Sequence, residues 1–118
     1  MTGSVGYHSG FAAEDIVARD YERRNHAIAA RRWRGQSGEI DLIFRDGDAV
    51  VFVEVKKSRD FARAATRLSR PQIDRICGSA AEFLAGEPRG QLTDVRFDLA
   101  LVNGIGMVQV IENAFAEF

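Results

Sequence analysis

The sequence predicts an α/β domain in which a mixed β-sheet is flanked by two helices, in the order helix, three strands, helix, strand (αβββαβ), with one extra strand at the end. Three observations carry this. Phe11, Glu14, Val17, Ala18 and Tyr21 recur at spacings of three and four, so they share one face of a helix. Two apolar segments on either side of Asp46-Gly47-Asp48 read as a β-hairpin. A second amphipathic segment then separates that hairpin from a clearly alternating strand, which suits a right-handed crossover returning parallel to the strand before it.

Taken in order, the first helix spans Ser9 to about Asn25, behind a segment over 1–8 expected to be flexible. Ala27 to Trp33 is a weak, short strand ended by Gly35-Gln36-Ser37-Gly38. The hairpin follows as Glu39 to Arg45 and Ala49 to Lys57, and three strands joined by tight turns make an antiparallel meander. Ser58 to Leu68 has little periodicity and reads as a basic loop with room for a helical turn. The second helix starts near Ser69, an N-cap residue, with Pro71 tolerated in the first turn. Its stripe is Ile73, Ile76, Cys77, Ala80, Ala81 and Leu84, and Gly86 with Pro88 ends it. Asp94 to Val102 alternates as a strand, and Asn103-Gly104-Ile105-Gly106 turns the chain into Met107 to Ile111.

The chain reads as a single domain over its 118 residues, with 46% hydrophobic and 28% charged residues. No apolar run approaches the roughly 18 residues of a membrane span, and the start lacks the apolar stretch of a secretory signal. One cysteine, Cys77, excludes an internal disulfide and fits a reducing cytoplasm. The net charge of −1 conceals an asymmetry. From Arg19 to Arg34 six arginines face two acids, and from Lys56 to Arg75 seven bases face two acids, whereas the part from Ile76 onward carries six acids and two arginines. Local basic clusters of this kind are compatible with a polyanionic partner.

The residues that carry chemistry lie in the hairpin. Asp41 stands within Gly38-Glu39-Ile40-Asp41-Leu42-Ile43, and Glu54 and Lys56 within Val51-Phe52-Val53-Glu54-Val55-Lys56. Charges in apolar strands are costly unless paired or metal-bound. Strand alternation puts Glu54 and Lys56 on one face and Val51, Val53 and Val55 on the other. A two-residue turn at Gly47-Asp48 makes Asp41 the direct partner of Glu54, and one at Asp46-Gly47 places them diagonally. A three-residue turn separates them unless a bulge restores the phase. Two carboxylates about 4 Å apart repel by roughly 4 kcal/mol at an effective dielectric near 20. A proton or a cation therefore belongs between them, and oxygen donors suit Mg²⁺ or Mn²⁺ better than zinc. Lys56 is then placed to serve a water or to offset charge on a phosphate, which suggests phosphodiester hydrolysis. The ordinary alternative is a buried salt bridge to Lys56 or an arginine.

Ala13-Glu14, Asn25 to Trp33-Arg34-Gly35, the two hairpin motifs and Arg96-Phe97-Asp98 together resemble the UPF0102 (YraN) family, from Ser9 to about Val102. That family is assigned to the PD-(D/E)xK nuclease superfamily, with the restriction-endonuclease-like fold. The resemblance implies a Mg²⁺- or Mn²⁺-dependent endonuclease acting on DNA, with branched or structured DNA as a candidate substrate. By motif, Asp41 and Glu54 would hold the metal with the backbone carbonyl of Val55. Lys56 would serve the attacking water, and Glu14 would be the helix-borne acid some relatives add. Ile40 stands where the motif name has proline. Gln72 occupies a position where many relatives carry lysine and is similar to a site-support glutamine of other relatives.

Arg34, Lys57, Arg59 and Gln72 are the expected nucleic-acid-facing residues, with Arg63 and Arg67 continuing the basic run. Glu39 is expected to pair with Arg32 or Arg34, and Trp33 to cover the end of the sheet rather than stack on bases. Cys77 reads as packing. His8 and His26 are too isolated for a ligand pair, and Asp98 either supports the site or bonds near Arg96. Gly104-Ile105-Gly106 is a turn, so no nucleotide cofactor is expected. The small, near-neutral chain invites a homodimer to complete a DNA surface. The competing reading, from a different class, is a nucleic-acid-binding or scaffold protein that keeps the fold and cleaves little by itself.

Overall fold

The hairpin turn decides the register of the central sheet. In the computed structural model, which describes residues 2–117 and the side chains of 12–115, Asp46 pairs with Ala49, so the turn is the two-residue Gly47-Asp48. Gly47 adopts φ +60, which a residue with a Cβ reaches only at a cost. The same register carries Leu42 opposite Val53 and leads on to Asp41 beside Glu54.

Around this hairpin lie α1 (Thr2–Arg23), β1 (Ala27–Arg34), β2 (Glu39–Asp46), β3 (Ala49–Lys57), α2 (Phe61–Ala65), α3 (Arg70–Leu84), β4 (Val95–Val102) and β5 (Val108–Ile111). Short 3₁₀ turns cover Gly90–Leu92 and Ala114–Glu117. The five strands lie in chain order. β4 runs parallel to β3, and the other neighbours are antiparallel. This is the α/β mixed sheet expected, compatible with a restriction-endonuclease-like fold, with β5 as a fifth strand.

Each face of the sheet has its own core. Ala13, Val17, Ala18 and Tyr21 of α1 pack on Leu42, Phe44, Val51, Val53, Ala100 and Val102. On the other face Ile76, Ala80 and Leu84 of α3 pack on Ile40, Ile43, Val50 and Phe52. α2 closes that face over Leu99 and Leu101 through Ala64.

Two expectations change and one is met. α1 begins at Thr2 rather than near Ser9; the side chains of His8 and Phe11 lie outside those described. The basic loop contains the helical turn the sequence left room for, α2, capped by Asp60 accepting from the Arg63 N–H. In α3, Cys77 and Ala81 are exposed while Ser79 is fully buried. The helix is rotated because the β1–β2 loop docks on it. The Ser79 hydroxyl donates to the Gly38 carbonyl, and the Glu82 carboxylate accepts the Gln36 N–H. A Cβ on Gly35 would lie 2.6 Å from Glu82 Oε2 and 2.9 Å from Ser79 Oγ, so a larger residue there would have to push aside the side chains that hold the loop.

The outer strands lose their alternation at one level. Ala30 and Trp33 both pack on the α3 side although they are three residues apart, and so do Ile40 and Ile43. Leu42, between the latter two, belongs to the α1 side. Arg31 pairs with Leu42 and Trp33 with Ile40, so both strands change phase at Arg32 and Asp41, which stand across from each other. Arg32 has φ +50. For an L-residue with a long side chain that conformation costs about 1–2 kcal/mol.

Candidate functional site

Where β2 and β3 part beyond Leu42 and Val53, the side chain of Asp41 takes over the role of a strand. Its Oδ2 accepts the Val55 N–H at 2.8 Å. The N–H and C=O of one strand residue point to the same neighbour, so the Val55 carbonyl faces this gap as well. The Asp41 carboxyl group also lies within hydrogen-bonding reach of Glu54.

Glu54 is buried at 5% exposure. The amide of Gln72, in the first turn of α3, donates to its Oε2 at 2.7 Å, and Lys56 Nζ stands 3.3 Å from the same oxygen. Ser69 caps that helix and fixes the turn that carries Gln72. Burial raises the Glu54 pKa well above the ordinary carboxylate range, reinforced by the hydrogen bond and charge of Asp41 and opposed by Lys56. Glu14 approaches from α1. Burial raises its pKa too, Asp41 adds to the effect, and Arg32 opposes it. Arg32 Nε donates to Glu14 Oε2 at 3.0 Å.

Asp41, Glu54, Lys56, Val55 and Gln72 are thus brought together as the sequence suggested, with Glu14 beside Asp41. Glu54 is met by the Gln72 amide and the Lys56 ammonium, and Asp41 by the Val55 N–H. Among the described residues no group of three or more His, Cys, Asp or Glu side chains is arranged to hold a metal. The Asp41 and Glu54 carboxyl groups with the Val55 carbonyl are hard oxygen donors, and in type they fit Mg²⁺ or Mn²⁺.

Other candidates lie apart. Glu39 meets Arg34 at 3.4 Å, and the Arg34 side chain is mostly exposed. Trp33 packs edge-on against Phe83. Lys57 points away from Lys56 and lines a small cavity with Ala12, Ala13, Ile16 and Asn103, as alternation requires. Arg59 is exposed, and its carbonyl accepts the Gly104 N–H. Arg67 reaches back to the Lys57 carbonyl, and Arg63 pairs with Asp60. His26 bonds within its own loop and faces Asp46 and Arg96.

Asp98 belongs to the opposite face and to stability. Fully buried, it accepts from Tyr21 Oη at 2.6 Å, from Arg96 and from the Asn113 N–H. Burial first, then the Asp98 contact, raises the Tyr21 pKa. The contribution of Arg32 was not legible, because no sequence signal marks an arginine with positive φ inside a strand.

The sequence profile described as "Uncharacterised protein family UPF0102" matches residues 13–102, which include every residue of the site. A UPF0102 protein of Cereibacter sphaeroides (strain KD131 / KCTC 12085) is 65% identical over 98% of this chain and 99% of its own length. One from Ruegeria pomeroyi is 60% identical over 96% of this chain and 92% of its own, and one from Roseobacter denitrificans is 54% identical over 98% and 89%. No helix among the described residues is long and apolar enough to cross a membrane. The chain belongs to the UPF0102 family.

Proposed function

We propose that this chain is a divalent-cation-dependent endonuclease that hydrolyses phosphodiester bonds in DNA, with branched or structured DNA as candidate substrates. The observation that supports it is the meeting of the Asp41 and Glu54 carboxyl groups in the gap between β2 and β3, with Lys56 on the same oxygen of Glu54. Asp41, Glu54 and the Val55 carbonyl would hold Mg²⁺ or Mn²⁺, which supplies Lewis acidity toward a phosphoryl oxygen when bound.

The chain's own groups do the rest. Gln72 holds Glu54 in one orientation. Lys56, 16% exposed, keeps its ammonium at the mouth of the site, where it orients a water or meets negative charge developing on phosphorus. Arg32 keeps Glu14 beside Asp41. Arg34 and Arg59 are exposed and available to phosphates, and a homodimer would widen that surface.

One observation favours the scaffold reading. Glu14 is already committed to Arg32, which leaves two carboxyl groups for a cation. Incubating purified protein with Mg²⁺ or Mn²⁺ and a panel of linear, single-stranded, flap and four-way DNA separates the two. Nicking lost in Asp41→Ala and Glu54→Ala, with DNA binding retained, supports the enzyme. Salt-sensitive binding with no cleavage of any substrate would replace it with the scaffold reading.

A further inference from the structure

Among the described residues, every other position with positive φ is a glycine or an asparagine, residue types that adopt this conformation readily. Arg32 has neither excuse, and it lies inside an edge strand rather than in a turn. Its place in the register gives the reason. It stands opposite Asp41, between the Arg31–Leu42 and Trp33–Ile40 pairs. At this level both strands exchange the face they present to α1 for the face they present to α3. A β-strand that kept its alternation through residue 41 would send that side chain straight onto the α3 face, as it does Ile43. The phase change instead leaves Asp41 in the plane of the sheet, where it bonds the Val55 N–H and meets Glu54.

We propose that Arg32 is a positioning residue: its left-handed backbone turns β1 and β2 together and so aims Asp41 into the gap beside Val55 and Glu54. The side chain has a second, separable task, holding Glu14 on the same side. Strain stored opposite a functional carboxylate is a recurrent arrangement at sites that need a group held off its regular direction. The Mn²⁺ arm of the test below rests on the proposed metal site; the Val55 arm does not.

The test separates backbone from side chain. Glycine accepts φ +50 and deletes the guanidinium, whereas a β-branched residue resists that conformation. The Val55 amide, followed by ¹⁵N chemical shift and hydrogen exchange in metal-free full-length protein, reports whether Asp41 is in place. Arg32→Gly should keep the wild-type Val55 signal. Arg32→Val should shift it and speed its exchange by about tenfold or more as the charge-assisted bond is lost. Arg32→Asn and Arg32→Thr repeat the contrast, asparagine adopting the left-handed region readily and β-branched threonine resisting it, so a poorly folded valine variant does not end the comparison.

Mn²⁺ titration should rank the variants in the same order, with glycine near wild type and valine weakened. A wild-type Val55 signal in the valine and threonine variants would overturn the proposal, as would an equal loss in the glycine variant. Failure of the wild type to bind Mn²⁺ would instead remove the nuclease reading and leave the Val55 comparison standing.

Discussion

Replacing Glu54 by glutamine should make the protein more stable at neutral pH, although it removes a residue of the proposed site. Glu54 is 5% exposed and touches Asp41, and burial is the largest cause of its raised pKa. The folded value lies above the unfolded one near 4.5. The wild type therefore has its full stability below that unfolded value and loses stability as pH rises toward the folded value. At pH 7.5, about three pH units above the unfolded value, keeping the proton on Glu54 costs roughly 4 kcal/mol at about 1.4 kcal/mol per unit.

Glutamine needs no proton, its carbonyl can still accept from Gln72 and Lys56, and its amide can donate to Asp41. Allowing for imperfect replacement, the variant should gain about 2–4 kcal/mol at pH 7.5 and nearly nothing at pH 4.5. For a chain of this size that is a rise in Tm of about 10 °C at the higher pH. Thermal and urea unfolding of both proteins at half-unit steps from pH 4.5 to 8.5 would measure it. A variant less stable at pH 7.5, or a difference that does not change with pH, would refute the assignment of a buried, proton-holding Glu54.

Three further outcomes test other parts of the structure. Tyr21→Phe removes a 2.6 Å donor from the fully buried Asp98 and should cost about 2 kcal/mol, seen as a lower urea midpoint with unchanged m; a loss below about 0.5 kcal/mol would deny that contact its role. Gln72→Leu should weaken Mn²⁺ binding by about 10–100-fold, because Glu54 loses the donor that orients it, and an unchanged affinity would argue against that support. Glu82→Ala should speed exchange of the Gln36 amide and lower stability by about 1 kcal/mol, whereas unchanged exchange would show that the β1–β2 loop holds itself.

The sequence carried the central sheet well because its signals are local. Alternation through Val51, Val53 and Val55, the Asp-Gly-Asp turn, and Ser69 with Pro71 each fix one element by short-range sterics or capping. Parallel pairing of β4 with β3 followed from the intervening helices. What escaped reading depends on tertiary contact. Cys77 matches the apolar stripe of α3, yet docking of the Gly35–Gly38 loop through Ser79 and Glu82 turns the helix and leaves the thiol exposed.

Asp41 and Glu54 were legible as a pair from the hairpin register, but the path by which they meet was not. Simple alternation would have placed both carboxylates on the α3 face. The structure instead aims Asp41 between the strands through a phase change centred on Arg32, a backbone state set by the fold rather than by arginine itself. Asp98 was ambiguous for a similar reason, since only the packing of α1 reveals that Tyr21 claims it.

Calorimetric titration of Mn²⁺ into metal-free protein at pH 7, in two buffers of different ionisation enthalpy, tests the paired carboxyl groups themselves. One ion per chain should bind with release of close to one proton, because the cation replaces the proton held by Glu54, and Asp41→Asn should abolish the binding. Binding without proton release, or binding that survives in Asp41→Asn, would contradict it.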